Sequence, residues 1–307
     1  MKKPRFLLSL TNDDNDYQIE QTSAAQQAAR KLGVELQIVY AGNDGIVQSQ
    51  QLLSSIHSTN APRPDAIIFE PAGSTAHPQV VRAAAAAGIG VVLLNSNADY
   101  ISELRRHCQV PVFAITSNHE EIGRIQGRQV GALLPAGGIV LYIQGPSDSS
   151  AAKQRYTGFL ETKPENVQLR ALKAHWTEAS AHKTVSSFLC LSTSRQAKIE
   201  AVCAQDDSMA MGARKAFEEC SELRKAWQKM AFLGCDGLPK TGQEWVRSNL
   251  LTATIFIPPN ADQAIEMMVK SIASGVLPPE RTFTIAKSFP AVEVLIQSAR
   301  ARGAARG

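Results

Sequence analysis

The chain has 307 residues, with 32 Lys and Arg against 28 Asp and Glu, and 44% of it is apolar. That length fits one large α/β unit or two lobes of ordinary domain size, and the apolar share supplies a sizeable core. A net charge of +4 is too mild to demand nucleic acid or an acidic membrane as partner.

Residues 6–10, Phe-Leu-Leu-Ser-Leu, read as a first strand. Residues 17–32 have helical spacing, with Ile19, Ala24, Ala28 and Leu32 on one side and Gly33 as the stop. A strand over 34–40 and a helix over 44–58 carrying Ile46, Leu52, Leu53 and Ile56 follow. The run 66–69 is a fully apolar strand. Ser74 or Thr75 is placed to cap a helix reaching Ala87, before another apolar strand over 89–94. The alternation continues with strands over 112–116, 139–143, 167–174, 199–204, 231–234, 251–257 and 281–286. Helices are read over 120–134, 149–160, 179–191, 262–274 and 291–301, and one starts after Asp207. Strands apolar on both faces, separated by helices, imply parallel sheets covered on both sides. Some ten strand–helix steps are twice what one doubly wound sheet usually holds. The expected fold is therefore α/β, with two similar doubly wound lobes of about five strands each. A (β/α)₈ barrel is the competing layout.

In open α/β sheets ligands bind at the carboxyl ends of the strands, so the corners there are the candidate site. The first holds Asn12, Asp13, Asp14, Asn15 and Asp16, then Tyr17; helix capping and ligand contact both account for these residues. It lacks the Gly and Glu of a calcium loop. Asn95 and Ser96 follow the fourth strand, and a neutral amide there can donate and accept at once. Arg155 stands one to two turns into a helix, where its guanidinium can fork onto hydroxyls or a carboxylate. Trp176 offers an indole for the apolar face of a sugar ring. Asp206 and Asp207 end another strand. One is expected to cap the next helix and the other to point into a cleft. Asp236, before Gly237, can grip two hydroxyls.

Catalytic signatures are missing: no Gly-x-Ser-x-Gly, Walker A loop, Gly-x-Gly-x-x-Gly or His-Glu-x-x-His occurs. The six histidines show no ligand spacing, so neither a metal nor a cofactor is called for. Asp206 and Asp236 as glycosidase acids remain the enzymatic alternative. The five cysteines, Cys108, Cys190, Cys203, Cys220 and Cys235, form no Cys-x-x-Cys, which favours a reducing compartment. The apolar run 6–10 is shorter than an export leader's, and no stretch is long enough to span a bilayer, so membrane insertion is not expected. The chain as written reads as cytoplasmic, and as periplasmic if a leader has been trimmed. The basic tail 298–307 reads as a solvated terminus rather than a nucleic-acid arm.

Four motifs then accumulate. Ala204-Gln-Asp-Asp-Ser-Met-Ala-Met-Gly-Ala213 resembles the A-x-N/D-D-x-M-A-x-G-A signature of type I periplasmic sugar-binding proteins of the ribose and galactose group, and of LacI-type effector domains. Gly234-Cys-Asp-Gly237 resembles their G-x-D-G corner. The stretch Ala151-Ala-Lys-Gln-Arg-Tyr-Thr-Gly-Phe159 resembles their A-x-x-R-x-x-G-F helix start, and Leu251-Thr-Ala-Thr-Ile255 their L-x-A-T-I run. The likeness extends from Phe6 to about Ala286. It implies two lobes, residues 4–115 with 258–281 and residues 116–257 with 282–307. They would be joined by three crossover strands, with a ligand cleft between them and hinges near 114–117, 257–260 and 282–285. It implies Asn12, Asp13, Asn95, Arg155, Trp176, Asp206 and Asp236 as ligand contacts, with Tyr17 and Ser96 beside them.

The likeness also implies a solute-binding protein, not an enzyme, that closes on a small sugar or polyol. Its partner would be an ABC transporter permease or a signalling protein. The alternatives are a sugar- or nucleotide-acting enzyme and a LacI-type regulator core without its DNA-binding domain. Departures from the family pattern are concentrated at the corners. The aromatic pair common after the first strand is reduced to Tyr17, the Asp-Arg pair is Asn95-Ser96, and a Gln is replaced by Ile257. Asp206 stands where ribose binders often have Asn. These changes open the ligand to another polyol, a deoxysugar or a cation.

Overall fold

The computed structural model describes residues 3–73, 76–96, 98–191, 198–220 and 227–304. It begins β1 (Arg5–Leu10), α1 (Asp16–Leu32), β2 (Glu35–Tyr40), α2 (Gly45–Ile56), β3 (Ala66–Phe69), α3 (Pro78–Ala86), β4 (Gly90–Leu94), α4 (Tyr100–His107) and β5 (Val112–Ser117). Next come α5 (His119–Leu133), β6 (Gly138–Gln144), α6 (Ser150–Thr162), β7 (Val167–Lys173), α7 (Glu178–Leu189), β8 (Ile199–Ala204), α8 (Asp207–Glu219) and β9 (Ala231–Leu233). The chain ends with α9 (Gly242–Arg247), β10 (Thr254–Phe256), α10 (Ala261–Ser274), β11 (Arg281–Thr284), β12 (Lys287–Phe289) and α11 (Val292–Ala304). It divides into two compact units, Met1–Ser117 with Pro259–Thr284, and Asn118–Pro258 with Ile285–Gly307.

The first unit is built on a six-stranded sheet in the order β11-β5-β4-β3-β1-β2, parallel throughout. Its inner strands β3 and β4 are apolar on both faces because both are covered. In β1, Leu7 packs into one core with Leu52, Ile56, Val80 and Val81, from α2 and α3. Phe6, Leu8 and Leu10 pack into the other, with Ala25 and Ala28 of α1 and Ile265 and Met268 of α10. The two-residue period of a strand sorts its side chains between these cores. The second unit repeats the plan with a sheet ordered β7-β6-β8-β9. Leu141 and Ile143 of β6 face α7 and α8, while Val140 and Tyr142 face α5, α6 and α11. Parallel bridges Leu233–Ala253 and Asp236–Phe256 add the β10 segment at the edge beyond β9. Both units thus share the doubly wound order 2-1-3-4-5, and each switches direction beside its first strand, at β1/β3 and β6/β8. These are open sheets, which rules out the barrel.

Short polar side chains start the helices that leave the carboxyl ends. Asn15, Asp44, Asn118, Ser149, Thr177 and Asp206 each accept a hydrogen bond from a first-turn amide. Helices α5 and α6 lie backbone to backbone. A Cβ on Gly123 would overlap the Arg155 carbonyl, and one on Gly158 the Glu120 carbonyl. That contact fixes the height of α6 and of the arginine it carries.

Several expectations need correction. Ile19 and Ile46 are 49% and 71% exposed. The packed face of α1 instead carries Gln18 and Gln21, whose amides find partners in half-buried Glu70 and buried Asn260. The helix expected over 74–87 runs Pro78–Ala86 with His77 at its cap position, because proline's fixed φ suits the first turn; Ser74 and Thr75 lie outside the described residues. The strand expected over 251–257 shortens to Thr254–Phe256 and pairs antiparallel with β12. The strand expected over 281–286 stops at Thr284, and β12 belongs to the other unit. Among the described residues the continuous sheets hold six and four strands rather than about five each; β10 meets the four-stranded one only through the two bridges, and its ladder is with β12. Helices α4 and α9 were not expected; they are short and bury only Ile101 and Gly242 outright.

Candidate functional site

In the first unit, the polar residues after β1, β3 and β4 meet through Asn95. Its backbone is left-handed, with φ 50°. Its Nδ2 donates to Glu70 Oε2 at 3.2 Å and to the Tyr17 hydroxyl at 3.3 Å. Its Oδ1 accepts from Asn260 Nδ2 at 2.8 Å. Asn260 is in turn held by Gln21, which donates to its Oδ1 at 2.7 Å. Gln18 donates to the same Glu70 oxygen at 3.0 Å. Tyr17 is buried in the first turn of α1, so it is part of this network. Asn12 donates to Asn43 and accepts from the Asn15 amide, which shapes the loop. Asp13 is exposed and Ser96 half-buried; neither joins the Asn95 network. Behind β3, His77 Nε2 lies 2.8 Å from Gln48 Oε1, and Nδ1 lies 2.9 Å from Ser49 Oγ. Gln48 Oε1 is an acceptor only, so the proton is assigned to Nε2. Burial pushes the His77 pKa down.

The second unit gathers four candidates at one corner. Arg155 is 7% exposed. Its guanidinium lies 5.6 Å from the centre of the Trp176 ring and 4.0 Å from Asp236 Oδ1, and donates to the Gln205 carbonyl. Burial opposes the arginine's charge, but Cys235, Asp236 and Asp206 around it outweigh burial and leave its pKa raised. Cys235 is a neutral thiol near pH 7, since burial pushes its own pKa far up. The two carboxylates therefore carry the compensation. Trp176 sits at φ 57° and Asp236 at φ 101°. Left-handed backbone costs about 1–3 kcal/mol per residue when it is not glycine. With Asn95, three candidates hold such geometry, each at a strand's carboxyl end.

The paired acids after β8 divide their roles, but not as expected. Asp206 is the cap of α8, accepting from the Met209 amide, and it is also the acid beside Arg155. Asp207 is 4% exposed and points inward. Its Oδ2 accepts from the Gly237 amide at 2.7 Å and its Oδ1 from the Thr254 hydroxyl at 2.6 Å. The expectation that the acid not serving as cap faces ligand is corrected. A carboxylate in the first helical turn can reach the neighbouring strand corner and tie it down.

A family model described as periplasmic binding protein domain matches residues 6–275. The chain belongs to the periplasmic binding protein family. Among its relatives is the D-allose-binding periplasmic protein of Escherichia coli K12, 25% identical over 281 residues, covering 89% of this chain and 86% of that protein. The ribose import binding protein RbsB of Salmonella typhimurium is 25% identical over 258 residues, covering 83% and 79%. Among solved structures, a galactofuranose binding protein superposes with a TM-score of 0.81 at 20% identity, covering 97% of this chain and 98% of that one. These relatives are named for binding and import, not for catalysis. Among the described residues of this binding protein, no group of His, Cys, Asp and Glu is arranged to hold a metal, and no helix is long and apolar enough to cross a membrane.

Three residues of these corners escape sequence reasoning. Glu70 follows a fully apolar strand and was not singled out, although a lone acid directly after such a run is a readable signal. Gln205 lies inside a quoted motif, and the pairing of the two acids leaves open which of Asp206 and Asp207 points inward. Side-chain direction in the first turn after a strand is not encoded by any period.

Proposed function

We propose that this binding protein takes one small neutral sugar or polyol at the carboxyl ends of its sheets and hands it to an ABC importer. The observation that carries the reading is the Arg155 corner. A buried guanidinium, an indole at 5.6 Å and a carboxylate at 4.0 Å together offer donors, acceptors and an apolar platform. A sugar ring presents that combination: hydroxyls that need both kinds of partner, and a C–H face that lies on an aromatic ring. Asn95, Tyr17 and Glu70 of the first unit offer a second set of hydroxyl partners at the strand ends of their own sheet. The work is recognition, in which no bond is broken. The names of the relatives support the substrate class, and the D-allose-binding periplasmic protein supports the periplasm as the working compartment.

The test is a thermal-shift screen with pentoses, hexoses in pyranose and furanose forms, and inositols, followed by calorimetry of the hits. The reading expects one saturable site, no turnover of the bound sugar, and loss of binding in Arg155→Met. A panel without any stabilising sugar or polyol, or a sugar that is chemically altered, would overturn it. Fractionation of the native cells tests the compartment.

A further inference from the structure

The second unit contains a side chain that ties together two backbone segments of the Arg155 corner. Gln205 is fully buried at the end of β8. Its Oε1 accepts from the Gly145 amide at 2.9 Å. Its Nε2 donates to the Ala152 carbonyl in α6 at 2.9 Å and to the Tyr142 hydroxyl at 3.1 Å. The Tyr142 hydroxyl donates to Gln126 Oε1 at 3.0 Å, and Gln126 Nε2 donates to the Ala204 carbonyl at 2.7 Å. Each polar atom of the amide is thus used, and the chain of bonds returns to the strand that bears it.

The two ends of this network are the two walls of the corner. Gly145 is the surface on which Trp176 rests: a Cβ there would overlap the indole. Ala152 lies one turn before Arg155 on α6, and Arg155 itself donates to the Gln205 backbone carbonyl. A buried amide with every donor and acceptor used has one orientation, because any rotation strands a polar group away from water. We propose that Gln205 is a positioning residue for ligand recognition. It holds the Gly145 turn and the first turn of α6 at a fixed separation, and so sets the spacing between the Trp176 ring and the Arg155 guanidinium. This deepens the reading of that corner as a sugar site, and rests on it only for the ligand-binding consequence.

The experiment has a ligand-free arm and a ligand arm. In the first, the contribution of Trp176 to near-UV circular dichroism and to iodide quenching is taken as the difference between each protein and its Trp176→Phe counterpart. Gln205→Met should raise the quenching of Trp176 at least twofold and flatten its dichroic band, with unfolding still cooperative. Unchanged Trp176 signals would overturn the proposal. Should Gln205→Met fail to fold, Gln205→Glu decides it. The carboxylate can accept from Gly145 but cannot donate to Ala152, whereas the protonated acid can do both. Trp176 in that variant should become better shielded as pH falls, and a pH-independent signal would overturn the proposal. In the second arm, a sugar that binds the wild type should bind Gln205→Met 10- to 100-fold more weakly. The double variant with Trp176→Phe should lose little more than the weaker single variant, since both act on one wall. Fully additive losses would contradict a positioning role. If no sugar binds the wild type, the proposed function fails, while the ligand-free arm still decides the role of Gln205.

Discussion

The two units share a strand order but build their polar corners from different chemistry. In the first, Asn95 is the hub of a network of neutral amides and one hydroxyl, into which the single acid Glu70 is tied by Gln18 and Asn95. In the second, a buried cation is surrounded by Asp206, Asp236 and an indole; Asp206 is pinned by the Met209 amide, and its neighbour Asp207 holds the Gly237 amide next to Asp236. A duplicated fold therefore fixes where polar groups appear, at the carboxyl ends beside the switch points, but not which groups they are. An amide network can trade donors and acceptors at small cost. A buried ion cluster cannot lose a member without exposing an uncompensated charge to a medium that solvates it poorly. The second corner should thus be rigid and intolerant, and the first adaptable.

Substitutions test that contrast. Arg155→Ala should have the largest effect. It leaves Asp236 and Asp206 without their cation, and about 3 kcal/mol of folding stability should go with it. Ligand affinity should drop by at least ~100-fold, readable by urea denaturation and calorimetry on the same preparation. Asp207→Ala comes next. Losing the charge-assisted bonds to Gly237 and Thr254 should cost about 2–3 kcal/mol, and the loop carrying Asp236 should gain amide exchange. An Asp207→Ala protein as stable as the wild type would break the account of that acid as a structural tie. In the first unit, Asn95→Ala should cost only ~1 kcal/mol of binding free energy. Asn95→Gly should be milder for stability than Asn95→Ala, because φ 50° suits glycine. If Asn95→Ala proved as damaging as Arg155→Ala, the contrast between the corners would fail.

The smallest effect is on pH dependence. Burial lowers the pKa of His77 from its ordinary 6.5, so the unfolded chain takes up a proton at a higher pH than the folded one. Stability from this group is complete above pH 6.5 and declines as pH falls from there toward the folded value. The melting temperature should therefore decrease from pH 7 to pH 5. His77→Asn, which also tolerates the left-handed backbone at φ 47°, should flatten that slope. An unchanged slope would show that His77 is not its source.

Much of the fold was legible because it follows from periodicity. Ala66–Phe69 and the run 201–204 are apolar on both faces, and such runs have no other stable home than the middle of a covered parallel sheet. What escaped was set by tertiary context. Helices α4 and α9 bury too little to leave a pattern, and the segment after Arg281 gives consecutive short strands to different sheets. The packed face of α1 departs from the expected one because two buried, hydrogen-bonded glutamines replace the aliphatic residues that a period looks for. At the site, residue type and corner position pointed to Arg155, Trp176, Asp206 and Asp236, which the fold gathers at one corner. The direction of Asp207 depends on where Gly237 and Thr254 lie, and the bonds of Gln205 on the height of α6 and the turn at Gly145; no local rule encodes either.

The central claim is that the Arg155 corner of the second unit holds a sugar. Its most direct test is titration calorimetry of the wild type and Asp236→Ala with a sugar selected by thermal shift. The account predicts a single site in the wild type, weakened by about 1–3 kcal/mol in Asp236→Ala. Unchanged affinity in that variant would contradict it.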